Sequence, residues 1–117
     1  MVLVCTIVST EFIDNMSPFK GNDFLRIIDE ARWILSFGDN NSMLVYMDGG
    51  VEASVTYIVS DNEITLTDLS GSCTGNEAAG IYRWRLAENV LSMALVNDLC
   101  ERRRYVLADT KWQRFKE

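Results

Sequence analysis

Three cysteines, Cys5, Cys73 and Cys100, are the residues of this chain most suited to covalent chemistry or metal binding. No two of them have a CxxC spacing, and the chain contains no histidine. A zinc site would therefore need carboxylates and scattered thiols, and a histidine-ligated haem or a Ser–His or Cys–His nucleophile pair is excluded. We predict no metal and no cofactor. Any catalysis would have to use carboxylates, Tyr, Lys, Cys or confinement of the substrate.

Asp98 and Arg103 are the charged residues with the most functional interest. If the segment from 102 to 108 is a strand, Arg103 shares one face with Tyr105 and Leu107 and can point into the fold. A buried guanidinium needs a partner, for which Asp98 is the candidate. Two interpretations stay open: an ion pair that closes one end of the fold, and an arginine that binds a carboxylate or enolate of a ligand through two hydrogen bonds.

Cys73 and Cys100 could bridge if a loop around residue 73 packs beside the start of a strand near residue 100. We expect a disulfide only if the protein is exported, and we favour two small buried or partly buried thiols for a cytoplasmic protein. The apolar run from 2 to 8 lacks a basic leader and is far too short to span a membrane. We predict that it forms a first strand with Cys5 in the core, and that the protein is cytoplasmic.

The net charge of −6 disfavours general nucleic-acid binding, because an acidic protein repels the phosphate backbone. Arg102, Arg103 and Arg104 form the one basic run. We interpret this run as a strand with two arginines outward and one inward rather than as a phosphate-binding patch, which normally has more charges. We therefore predict no nucleic-acid partner.

Period-2 alternation of apolar and polar residues dominates the chain from residue 31 onward. Turn signals interrupt it at short spacing, which is typical of an all-β sandwich or barrel. The segment from 10 to 30 differs, and the spacing within 23–28 suggests one or two short helical turns there. Its apolar residues could form a lid over a barrel mouth or a plain plug. They are Phe12, Ile13, Phe19, Phe24 and Ile27.

The connections between the predicted strands are nearly all of hairpin length, so that neighbours in sequence should pair as a meander. The last two strands are expected at about 102 to 108 and 111 to 116. About eight to nine strands in a twisted meander tend to close, which removes the unpaired edges. We predict one domain over 1–117: an antiparallel up-and-down β-barrel with a short helical or irregular segment near 10–30.

The C-terminal half carries a recognisable pattern: Gly80-Ile81-Tyr82-Arg83-Trp84, the leucine-rich strand from 91 to 96, then Asp98, Cys100, Arg103 and Trp112. It resembles the small bacterial lipocalin-like proteins of the calycin type. Upstream, Trp33, Leu35, Phe37, Tyr57, the segment 64–68 and Cys73 look similar as well. The resemblance covers about residues 30 to 115 and implies the barrel. It implies little about function, because calycin barrels host many roles. The chain lacks the Gly-x-Trp that long lipocalins carry on their first strand.

Alternation turns several aromatic residues toward the interior of the predicted barrel. They could line a pocket for an apolar or aromatic ligand, or simply fill the barrel. Scattered methionines could similarly offer adaptable ligand contacts or fill gaps in the core. The predicted ligand-binding residues are Trp33, Phe37, Tyr57, Tyr82, Trp84, Met93, Arg103 and Tyr105.

We predict a lipocalin-like binding module that holds a small hydrophobic molecule in its interior. One alternative is an enzyme of the confinement type, in which a dry barrel folds a polyene or polyketide-like substrate toward a cyclised or isomerised product. Another is a solid-core structural or interaction protein. For a small protein with exposed strands, a symmetric homodimer is the default expectation.

Overall fold

The computed structural model describes residues 19–75 and 79–115, which form a closed antiparallel barrel of eight strands and one short helix. Each strand pairs with the next along the chain, and β1 pairs with β8 to close the barrel. The predicted all-β up-and-down barrel is confirmed. The elements are β1 (Asp23–Ile28), β2 (Ala31–Phe37), β3 (Ser42–Met47), β4 (Gly50–Ser60), β5 (Glu63–Ser70), β6 (Ala79–Ala87), β7 (Val90–Asp98), α1 (Glu101–Leu107) and β8 (Thr110–Phe115).

Tight turns set the register of the hairpins. Asp29 and Glu30 between β1 and β2 have φ of 50° and 71°, and Glu88 and Asn89 between β6 and β7 have φ of 53° and 71°. A two-residue turn with both residues at positive φ matches the twist of the flanking strands. Because a slip of one residue would turn every side chain to the other face, these turns also determine which side chains fill the barrel.

Alternate connections meet at the same end of an up-and-down barrel, so the two ends have different contents. The helix end carries the connections 28–31, 47–50 and 70–79 together with α1, which follows β7. The Phe19 end carries the connections 37–42, 60–63 and 87–90 together with Phe19, which precedes β1. Both ends are therefore covered by side chains from outside the sheet.

The inward faces predicted by alternation are largely confirmed. Tyr82, Ile64 and Leu91 are fully buried, and Trp112 is almost so. Their neighbours on the same faces are buried as well: Trp33, Leu35, Phe37, Met43, Val45, Ala53, Val55, Tyr57, Leu66 and Met93. These residues form one contiguous hydrophobic core along the barrel axis.

Two of the predicted elements have a different conformation. The segment Asp23–Ile28, expected as helical turns, is strand β1, with Phe24 and Ile28 buried and Ile27 58% exposed. The strand conformation suits its two isoleucines, because β-branched residues favour strands. The segment expected as a strand at about 102 to 108 is helix α1. Its arginines and leucine have good helix propensity, and the helix places Arg103 inward without a strand.

Two alternating apolar positions are exposed, since Val51 is 61% and Leu95 39% exposed. For Val51 the reason is a register shift between Val45 and Tyr46 in the β3–β4 pairing, because a bulge inserts an unpaired residue between Val51 and Ala53 and so turns Val51 to the other face. Leu95 pairs with the buried Tyr82 directly beside a second register shift, between Ile81 and Tyr82 in the β6–β7 pairing.

The predicted first strand from 2 to 8, with Cys5, and the residues Phe12 and Ile13 lie outside the described residues. Over the described ranges the barrel has eight strands, within the predicted eight to nine. Within those same ranges, no helix has the length and apolarity needed to cross a bilayer.

Candidate functional site

A buried charge network joins β5, β6, β7 and α1 at the helix end. The Arg103 guanidinium donates from Nε to Asp98 Oδ2 at 2.7 Å and from Nη2 to Asp98 Oδ1 at 2.8 Å. Its Nη1 donates to Asp68 Oδ1 at 2.8 Å. Each of the three side chains is at most 6% exposed. The fork-to-fork contact with Asp98 is the geometry that best satisfies a buried guanidinium.

Two residues of β6, Gly80 and Tyr82, let the strand pack against this charge network. The Tyr82 hydroxyl donates to Asp98 Oδ2 at 2.5 Å. A Cβ on Gly80 would lie 2.5 Å from Asp98 Oδ2 and 2.8 Å from Arg103 Nε. Since such contacts are shorter than van der Waals distance, glycine is required for the ion pair to lie against β6. The Gly80-x-Tyr82 sequence thus supplies both the space and a hydrogen bond.

The pKa values of the Asp98 and Asp68 carboxyl groups are shifted in opposite directions from their ordinary values. For Asp98, burial raises the pKa, but hydrogen bonds from Arg103, Tyr82 and the Cys100 N–H outweigh it and hold the pKa below its ordinary value. For Asp68, burial dominates and raises the pKa, against the single hydrogen bond and the charge of Arg103. Burial and the neighbouring Asp98 also raise the pKa of Tyr82. Asp98 is therefore the primary counter-ion of Arg103.

Helix α1 is fastened over the barrel at its start. Cys100, directly before the helix, forms a disulfide with Cys73 in the β5–β6 connection. The expectation of two free thiols is therefore wrong. Both cysteines are buried, as predicted. The bridge holds the start of α1 against the loop that covers the same end of the barrel.

Exposed side chains of α1 reach the barrel rim at two further points. Arg102 donates to Glu52 at 3.0 Å, and its Cζ lies 5.2 Å from the centroid of the Trp33 ring. The Tyr105 hydroxyl donates to Asp29 in the β1–β2 turn. Such exposed contacts are individually weak, so they position the helix more than they stabilise it.

A cavity of about 50 Å³ lies beneath α1, beside the charge network. Its wall is mostly apolar, with Glu52 and Arg102 at its edge and Asp68 and Arg103 on one side. The apolar wall residues come from the barrel, the β5–β6 loop and the inner face of α1. They are Trp33, Leu35, Met43, Val45, Ala53, Val55, Leu66, Cys73, Val106 and Leu107.

The Phe19 end is filled by aromatic rings. Phe19 stacks on Phe37 with centroids 4.9 Å apart, and it meets Trp84 edge-on at 4.9 Å and Tyr57 at 6.3 Å. Phe19 itself is fully buried. Offset and edge-to-face pairs of this kind stabilise a packed core. These rings, which we call the aromatic plug, fill the described part of this end, and the choice between a lid and a plain plug for residues 10–30 stays a prediction.

The predicted ligand-binding residues do not converge on a single pocket. Trp33 and Arg103 line the cavity beneath α1, whereas Phe37, Tyr57 and Trp84 belong to the aromatic plug.

The other three of these residues occupy separate places. Tyr82 belongs to the charge network, and Met93 is buried on β7 away from the cavity wall. Tyr105 is 47% exposed on the outer side of α1. For Arg103, the structure has the ion pair with Asp98 that one of the two interpretations predicted.

Sequence reasoning missed Asp68 and the Arg102–Glu52 contact. Asp68 continues the inward stripe of Ile64 and Leu66 with period 2, and this alternation is the signal that could have identified it. The Arg102–Glu52 contact joins residues 50 positions apart and has no local signal. Over residues 19–75 and 79–115, no group of histidine, cysteine or acidic side chains could hold a metal ion.

Comparisons with known proteins return no relative for this chain. No protein-family model matches it, and neither the curated proteins nor the solved structures include a match. The eight-stranded barrel is compatible with the lipocalin-like resemblance of the sequence.

Proposed function

We propose that this protein is a lipocalin-like binding module for a small, uncharged and mainly apolar molecule, held at the helix end of the barrel. The observation that carries this proposal is the cavity beneath α1, whose wall combines Trp33, Val45, Leu66 and Val106 with other apolar side chains. A mostly apolar concavity with a few fixed polar groups is the usual form of a small-molecule site.

The size of the cavity limits the ligand. Drug-sized ligands occupy roughly 300 Å³ or more, whereas this cavity has about 50 Å³. It accommodates only a few non-hydrogen atoms while α1 stays in place. A larger ligand would have to displace Arg102 or rearrange Met43, a flexible side chain in the wall.

The charge network determines the polarity of the ligand. Arg103 already donates to both Asp98 and Asp68, so an anionic ligand would have to displace a buried carboxylate. At the cavity edge, Arg102 and Glu52 neutralise each other. An uncharged ligand therefore fits best.

The two alternatives differ in their support. A polyene or polyketide-like substrate does not fit 50 Å³, so confinement catalysis has no observation in its favour. A solid-core interaction protein is favoured by the filled interior, because nineteen buried residues of the described part of the chain form one core cluster. Methyl NMR distinguishes it from the binding module.

Methyl NMR of the methionines tests the proposal directly. The protein is labelled with ¹³C at the methionine methyl groups and exposed to xenon, and separately to benzene, both of which occupy apolar cavities. We expect a saturable shift of the Met43 methyl, which lines the cavity. Absence of this shift would favour the solid-core protein.

A cavity-filling variant supplies the matched control. Ala53 lines the cavity and is 8% exposed, so Ala53→Leu should fill the space without adding a charge. The Met43 response to xenon should disappear in this variant while the dispersion of the spectrum is retained. A persistent response would place the bound gas elsewhere and contradict the proposal.

The cytoplasmic location and the homodimer stay predictions, as does the single domain over 1–117. The Cys73–Cys100 disulfide favours an oxidising compartment, in which such bridges persist. Thiol labelling of the protein in its own cells, with and without prior reduction, tests this point: labelling of Cys73 and Cys100 without reduction would indicate a reducing compartment.

A further inference from the structure

The outer face of β6, β7 and β8 has a groove of about 390 Å³ with cationic side chains on both sides. Arg83 and Arg85 come from β6, and Lys111 comes from β8. Between them β7 contributes Ser92, Met93 and Ala94, and Trp84, Asp109 and Thr110 complete the lining. The small side chains of Ser92 and Ala94 thus lie between long cationic ones. We call this surface the basic groove.

Strand register aligns the groove residues in one row. Arg85 pairs with Ser92 in the β6–β7 ladder, and Ser92 pairs with Lys111 in the β7–β8 ladder. Neighbouring strands lie about 4.8 Å apart, so the Cα atoms of Arg85 and Lys111 are roughly 10 Å apart with Ser92 between them. Both long side chains can therefore reach the space above the Ser92 hydroxyl.

The row carries unbalanced positive charge in a chain whose net charge is −6. Arg85 and Lys111 make no ion pair, side-chain hydrogen bond or ring contact with any part of the chain that the structure describes. Other cations are engaged: Lys20 lies 3.6 Å from Asp39, and Arg102 binds Glu52. Electrostatics alone would therefore favour an anion in the groove.

The acidic residues near the groove leave this excess in place. Arg83 lies 3.8 Å from Glu63, at the outer limit of an ion pair, and both side chains are exposed. Asp109, at the edge of the groove, accepts a hydrogen bond from the Leu95 N–H at 3.3 Å. Both carboxylates lie outside the Arg85–Ser92–Lys111 row.

We propose that the basic groove binds the phosphoryl or sulfate group of a small ligand, with the oxyanion above Ser92. Arg85 would donate two N–H hydrogen bonds, and Lys111 would supply the compact positive charge of its ammonium group. The Ser92 hydroxyl would donate an O–H hydrogen bond. A tetrahedral oxyanion has enough acceptor oxygens to meet all three. This site lies on the outside of the barrel and is independent of the cavity beneath α1.

Amide NMR of the intact chain tests the site with inorganic phosphate and inorganic sulfate as probes. Each is titrated against sodium chloride at matched ionic strength. We expect saturable shifts of the Arg85, Ser92 and Lys111 amides that chloride does not reproduce, and weaker binding at higher salt. Shifts that chloride reproduces, or that spread over the whole surface, would overturn the proposal.

Charge-neutralising variants assign the binding to the row. Arg85→Gln and Lys111→Gln should each weaken phosphate binding about threefold, and the double variant about tenfold, as expected for exposed charges. Ser92→Ala should weaken it less. Lys20→Gln, which removes an exposed lysine paired with Asp39, is the matched control and should leave binding unchanged. Unchanged affinity in the double variant, with the fold intact by amide dispersion, would also overturn the proposal.

Glucose 6-phosphate and glucose 6-sulfate distinguish the two sources of such a group. Saturable binding of either supports the site, and the tighter of the two identifies the ligand class. Failure of both, measured under conditions in which the chain is folded, would contradict it. The xenon experiment on Met43 reports on a different surface, so the two proposals fail separately.

Discussion

Arg103 illustrates how a single side chain can change from a candidate ligand anchor to a structural group once its neighbours are known. Its guanidinium faces two carboxyl groups, those of Asp98 and Asp68, and both are buried with it. Removing one partner of a buried pair is costly because the remaining charge is left without compensation. The network should therefore be sensitive to small changes at any of its members.

Asp98→Asn should destabilise the fold by about 3–5 kcal/mol, because it replaces the primary counter-ion of Arg103 by a neutral amide. Urea denaturation of wild type and variant measures the difference. Glu52→Gln is the matched control: it removes an exposed partner of Arg102 and should cost less than about 1 kcal/mol. Equal losses in the two variants would show that burial of the pair contributes nothing.

The stability difference between wild type and Asp98→Asn should depend on pH. The pKa of Asp98 is lower in the folded protein than its unfolded value of about 3.9, so its contribution is complete above that value and decreases as pH falls through the folded pKa. Denaturation between pH 7 and pH 2 should show the difference shrinking at the acid end. A difference that stays constant to pH 2 would contradict the electrostatic assignment.

Asp68→Asn should show the opposite slope. Because burial raises the folded-state pKa of Asp68, the folded protein binds more protons than the unfolded chain between about pH 3.9 and that raised pKa. The stability of wild type relative to this variant should therefore increase as pH falls through that window. The same series of denaturation curves provides the measurement, and slopes of the same sign for both variants would show that the two carboxyl groups are not distinguished by their surroundings.

Helix α1 shows how tertiary contacts stabilise an element that could not stand alone. It has seven residues, and no side chain caps its start. Isolated helices of this length are marginal in water. The disulfide at Cys100, the buried Arg103 and the apolar Val106 and Leu107 supply what the local sequence lacks. The sequence identified the cysteines and Arg103 but not the helix, because the short apolar spacing in this segment fits a strand as well.

Replacing both bridge cysteines, Cys73→Ala with Cys100→Ala, should lower stability by about 3–4 kcal/mol, since the bridge closes a loop of 27 residues. Denaturation of the variant measures the loss, and denaturation of wild type with dithiothreitol should give a similar value. Hydrogen exchange should also accelerate in α1 more than in β4. A variant as stable as wild type would contradict the role given to the bridge.

Closure of the barrel is least extensive at β8. Among the described residues, three pairs join β1 to β8 and four join β7 to β8, whereas eight join β6 to β7. Alternation and hairpin-length turns were enough to predict a closed meander, because each hairpin is a local feature. The bulge that exposes Val51, and the covering of both ends, depend on contacts between distant residues and had no local signal.

The amides of β8 should exchange with solvent faster than those of β4 and β7, because fewer ladder hydrogen bonds hold β8 at its two edges. Native-state hydrogen exchange followed by NMR measures this. The amides of β4 serve as the internal reference, since β4 pairs with β3 and β5 over most of its eleven residues. Protection in β8 equal to that in β4 would show that the barrel opens as a single unit.

The turns that join the strands have an electrostatic consequence for how charged molecules approach the barrel. Acidic residues occupy turns at both ends: Asp29, Glu30 and Asp48 at the helix end, and Asp39, Asp61 and Glu88 at the Phe19 end. From these turns we expect a negative potential at both mouths, and from Arg85 and Lys111 a positive potential beside the outer face of β6, β7 and β8. Long-range fields of this kind orient a charged molecule before contact. We therefore expect anions to meet the barrel from the side rather than at its mouths, and this preference should weaken as salt shortens the range of the field.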